Sequence, residues 1–92
     1  MNVRLELVPT LDHCIESAAR HELRKYTDIY FERGERDSEL EERIELLRIF
    51  LESMDFRELR SQSEKHLAEG KTVRFIVYME QGKPKFEMKV DK

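Results

Sequence analysis

The chain has 92 residues, 40% of them charged, with a net charge of −3. That length builds one domain, residues 1–92, near the lower limit at which a single hydrophobic core holds without disulfides, metal or a second chain, so a partner copy is expected. Uncharged stretches such as Phe75 to Met79 fall far short of the roughly 18 residues of a membrane span. Cys14 is the single cysteine and has no partner for an internal disulfide, and no leader pattern opens the chain. The expectation is a cytoplasmic protein in a reducing compartment, with no membrane attachment.

The charge is unevenly spread. Residues 1–54 hold 8 Lys and Arg against 13 Asp and Glu, whereas residues 55–92 hold 9 against 7. Only the C-terminal third is suited to an anionic partner. Glu outnumbers Asp 15 to 5, with one Asn and two Gln, a balance found in proteins from hot environments.

The opening "NVRLELV" alternates Val3, Leu5 and Leu7 with Arg4 and Glu6, the period of a half-buried strand. Pro9 ends it and Thr10 is the expected N-cap of a first helix over Leu11 to Arg33. Leu11, Ile15, Ala18, Ala19, Tyr26, Ile29 and Tyr30 supply its apolar stripe, and Gly34 its left-handed stop. Ser38 and Glu41 read as a capping box, and Leu40, Ile44, Leu47, Leu51 and Met54 follow in heptad spacing along a second helix. Asp55 with Glu58 is a second capping box, and Met54 with Leu59 fits a hydrophobic staple. These signals predict a break at Asp55 and a third helix over 56–69, closed by Gly70.

A two-residue turn at Gln81-Gly82 then fixes a hairpin register. It places Val77 opposite Phe86, Phe75 opposite Met88 and Val73 opposite Val90 on one face. The other face pairs Tyr78 with Lys85, Ile76 with Glu87 and Arg74 with Lys89, and Glu80 meets Lys83 beside the turn. The expected fold is α+β in the order β-α-α-α-β-β, a small mostly antiparallel three-stranded sheet packed on helices and completed by homodimerisation. The neighbour of the first strand is left open.

For chemistry, Glu22 interrupts the apolar stripe of the first helix and is the candidate buried acid, with Tyr26 or His21 as assistants. The ordinary reading, which is preferred, is a Glu that pairs with an arginine across a helix or subunit interface or reaches water by its flexible stem. His13, Glu16 and the distant His66 lack any metal-binding spacing such as HExxH or CxxC, and Cys14 and His21 are about 10 Å apart along a helix. No metal or cofactor is expected. Cys14 has no neighbouring charge pattern that would activate it and reads as a small apolar residue. The scattered glycines form no phosphate-cradling loop, and no serine sits in an elbow motif.

Three functional readings follow in order. The first is a non-catalytic interaction module acting as a homo-oligomer. Leu46, Ile49 and Phe50 on the second helix, with Phe31, Ile76 and Tyr78, form the apolar surplus that a partner would cover, and the acidic run Glu35 to Glu45 is suited to a basic protein partner. The second is a winged-helix-like nucleic-acid-binding regulator using helix 56–69 through Arg57, Arg60, Gln62 and Lys65, and hairpin tip 81–85 through Lys83 and Lys85. Glu58, Glu64 and Glu69 interleave with these cations and oppose phosphate. The third is a small enzyme with Glu22 as acid or base.

Overall fold

In the computed structural model, which describes residues 3–91, the elements run β1 (Arg4–Leu7), α1 (Ile15–Arg33), α2 (Ser38–Ser53), α3 (Phe56–Ala68), β2 (Thr72–Glu80) and β3 (Lys83–Asp91). Asn2, the first residue of the expected opening strand, lies outside the described residues. The strands form one antiparallel sheet in the order β1-β2-β3, so the opening strand sits beside the first hairpin strand. The α+β order is the expected one.

The hairpin register agrees with the sequence reading at every expected pair, from Glu80 with Lys83 to Val73 with Val90. Gln81 and Gly82 both have positive φ, 53° and 76°, as the mirror-image turn that matches strand twist requires. Strand parity then sorts the side chains. Val73, Phe75 and Val77 are completely buried on the inner face, joined from β1 by Leu5 and Leu7. The helices cover that face with Ile15, Ala19, Leu46, Leu47, Phe50 and Leu59. Phe50 meets Phe56 edge to face at 5.5 Å and so ties α2 to the start of α3.

Four local expectations are corrected. Helix α1 begins at Ile15, not Leu11. Thr10 closes a separate turn, its hydroxyl accepting from the His13 N–H at 3.0 Å while its own N–H donates to the His13 carbonyl at 2.8 Å. Leu11 therefore stands 65% exposed instead of entering the helix stripe. Helix α2 is capped by Asp37, one residue before the expected Ser38: its Oδ1 accepts from the backbone N–H groups of Glu39 and Leu40. A charged oxygen suits the positive helix end better than a hydroxyl, and Glu41 is drawn away to Tyr30 and Arg36.

Third, the buried face of α2 is not the heptad stripe alone. Leu40 and Leu47 are buried, but so are Leu46 and Phe50 from outside that stripe, whereas Ile44, Leu51 and Met54 are only half-buried. Fourth, α3 ends at Ala68 rather than Glu69; Glu69 is its C-cap and Gly70 takes the left-handed φ of 80°. The break between α2 and α3 is where the sequence places it, with Asp55 accepting from the Arg57 N–H at 3.1 Å.

A residue with a side chain at left-handed φ costs about 1 kcal/mol, and Gln81 occupies such a position. Gln81→Asn, which suits this turn, is expected to raise unfolding stability by about 0.5 kcal/mol. The measurement is the urea midpoint at unchanged slope; a midpoint that stays or falls refutes it.

Candidate functional site

Three surface regions carry the residues singled out above. The first is a cleft of about 420 Å³ between β1 and the first turns of α1, lined by Glu6, Leu7, Val8, Thr10, His13, Ser17, Ala18, His21 and Glu22. Its size is that of small-ligand pockets. Glu22 is not the buried acid that its place in the stripe implies. The inner face of α1 runs through Ile15, Ala19, Leu23 and Tyr26, which turns Glu22 to the flank, where its side chain is 27% exposed and 4.0 Å from Lys25. His21 shares the cleft, but Tyr26 does not; its hydroxyl accepts from Arg43 at 3.4 Å. Among the described residues, no hydrogen bond joins Glu22 to His13, Ser17 or His21.

The second region is an open groove of about 510 Å³ between α1 and α2, lined by Leu23, Thr27, Tyr30, Phe31, Glu41, Ile44, Glu45 and Arg48. Phe31 is 74% exposed at its rim. The residues expected at an oligomer interface are redistributed by the fold. Leu46 and Phe50 have no exposed surface, because they are the core contacts of α2, and only Ile49 of that edge remains half-buried. Ile76 and Tyr78 are half-buried on the sheet face that carries no helix, where Arg4 lies 4.9 Å above the Tyr78 ring. Three of the six carboxylates of the acidic run are paired within the chain, Asp37 with Arg33, Glu41 with Arg36 and Glu39 with Arg43. It is a weaker lure for a basic partner than its composition suggests.

The third region surrounds α3. Arg57, Lys65, Lys83 and Lys85 are exposed, and so are Glu58, Glu64 and Glu69 among them. Two of the candidate nucleic-acid contacts are already engaged: Gln62 donates to Glu58 at 3.4 Å, and Arg60 donates to the Cys14 sulfur at 3.2 Å. That last contact corrects the reading of Cys14 as an inert apolar residue. Cys14 is the N-cap of α1, and its Sγ also shares a hydrogen bond with the Ser17 hydroxyl at 3.4 Å. The Ser17 hydroxyl above all, with the Ser17 backbone N–H and then the Arg60 guanidinium, outweighs partial burial and lowers the thiol pKa from 9.0 to about 7. Forty-six residues separate Cys14 from Arg60, so no local pattern announces the pair.

Among the described residues, no three His, Cys, Asp or Glu side chains are grouped to hold a metal ion. None of the described helices is long and apolar enough to cross a membrane.

Because the thiolate is favoured in the folded chain, alkylation of Cys14 by iodoacetamide is expected to reach half its limiting rate near pH 7. Ser17→Ala and Arg60→Ala should each move that midpoint upward, toward 9.0. A wild-type midpoint near the ordinary thiol value contradicts this assignment.

No curated protein and no solved structure matches the chain. A protein-family model matches residues 1–88, and the chain therefore belongs to that family, whose description states no activity.

Proposed function

We propose that the chain is a non-catalytic interaction module of the cytoplasm that acts as a homodimer. The observation that carries this reading is where the leftover apolar surface lies. With the core filled, Val8 at 47% and Leu11 at 65% exposure both follow β1 closely in the chain, and Phe31 stands at the rim of the helical groove. Isolated exposed hydrophobes are ordinary, but several on a chain this small supply apolar surface that a second copy can cover. The sheet adds to it, since all three helices pack on one face and leave Ile76 and Tyr78 on the other.

Catalysis has less support. Among the described residues, the Glu22 cleft joins no acid to a base or nucleophile through a hydrogen bond, and the Cys14 sulfur is hydrogen-bonded by Ser17 and Arg60 and by no histidine or carboxylate. The nucleic-acid reading loses Arg60 and Gln62 to partners within the chain.

Sedimentation equilibrium at micromolar concentration is expected to give twice the mass of the chain. A single species of monomer mass across that range refutes the homodimer.

A further inference from the structure

We infer that a second copy of the chain adds its β1 antiparallel to the free edge of β1, giving a six-stranded sheet in the order β3-β2-β1-β1-β2-β3 through the dimer. The inference rests on the self-association proposed above and names its surface.

The sheet has two edges, and they differ. Strand β3 carries Lys83, Lys85 and Lys89, and Pro84 lies within it. The two-residue turn makes Glu80 and Lys83 a hydrogen-bonded pair, and alternation along an antiparallel ladder follows from that. Odd-numbered β3 residues bond to β2, and even-numbered ones turn their backbone outward. The N–H that Pro84 lacks is therefore one of the outward groups, and the lysines are spread along the same edge: a guarded strand.

Strand β1 has no such guard. The same alternation turns the even β2 residues toward β3 and the odd ones toward β1, so Leu5 and Leu7 bond to Val77 and Phe75. The backbone N–H and C=O groups of Arg4 and Glu6 then point outward. That edge borders the cleft that Glu6, Leu7 and Val8 share with His13, Ser17 and His21, and among the described residues no strand pairs with it.

The short sequence Val3-Arg4-Leu5-Glu6-Leu7 is complementary to itself in one register. With the two-fold axis at Leu5, Arg4 of each copy faces Glu6 of the other, Leu5 faces Leu5, and Val3 faces Leu7. Charges of opposite sign meet on the outer face and apolar side chains on the inner face. The outward backbone groups are those of the Arg4 and Glu6 pairs, so this register also satisfies the hydrogen-bond parity. Moving the axis to Arg4 or to Glu6 stacks like charges. Moving it between residues places apolar side chains against charged ones.

The two charges are available. Arg4 has no ion pair among the described residues and rests on the Tyr78 ring. Glu6 lies 3.6 Å from Arg74, whose closer partner is Asp91 at 2.9 Å. Val8 and Leu11, exposed just beyond the strand, extend the contact.

The test uses two full-length variants, Arg4→Glu and Glu6→Arg, with circular dichroism to check folding and sedimentation to read mass. Each alone places like charges at both symmetry-related pairs and is expected to weaken the dimer by about tenfold or more. Mixed in equal amounts they form complementary pairs only with one another, so a heterodimer of wild-type strength is expected. The double variant, with the charges exchanged, should dimerise by itself. A wild-type dimer that neither single variant weakens overturns the edge pairing and leaves self-association standing. Single variants that dissociate without recovering on mixing overturn the register. A monomeric wild type overturns this inference together with the homodimer.

Discussion

Everything in the fold hangs on the parity of β2. Val73, Phe75 and Val77 have no exposed surface, and each lies on the face that the helices cover. A shift of one residue would turn all three to water and bring Arg74, Ile76 and Tyr78 inward, so the strand admits one register against each neighbour. Strand β1 must then present Leu5 and Leu7 inward, and β3 must present Phe86 and Met88. On the opposite face the same parity lines up Glu6, Arg74 and Asp91, and the Arg74 guanidinium links the carboxylates of both outer strands across the central one.

That parity explains which parts of the structure can be read from the chain alone. The hairpin was legible because its turn residues, its alternation and its charge pairs all imply one register, and a wrong one would have left conflicts. The joint at Asp55 was legible for the same reason, since cap and staple agree there. The buried side of α2 was not. Leu40, Ile44, Leu46, Leu47, Ile49, Phe50 and Leu51 cover more than half the helix circumference, so spacing cannot choose the inner stripe. Packing on the sheet and on α1 chooses it, and selects Leu46 and Phe50. Glu22 failed similarly: rotation of α1 by one flank turns a buried acid into a cleft wall.

The charged residues repeat the lesson at longer range. The acidic cluster before and within α2 looks in sequence like an open anionic field, yet Arg33, Arg36 and Arg43 bring three of its carboxylates into ion pairs. Such exposed pairs add only about 0.2–1 kcal/mol each to stability. Their larger effect is on the outside, where they flatten the potential that a basic partner would sense. Cys14 runs the other way, since a residue that reads as apolar has its thiol pKa lowered, chiefly by Ser17 three residues on and further by Arg60 delivered by α3.

The edge of β1 stays open without exposing the core. Leu5 and Leu7 are 4% and 2% exposed although their strand has a neighbour on one side only. Helices roof these side chains, so a strand added at that edge contributes backbone hydrogen bonds and cross-strand pairs more than it buries existing core. Backbone hydrogen bonds formed from groups already solvated by water yield little net free energy each. A strand of four residues supplies few of them. Pairing through this edge therefore belongs with the smaller, reversible interfaces and not with obligate ones, in which the subunit core itself is shared. A chain whose core closes within one copy can afford such an interface, and its self-association would then vary with its own concentration.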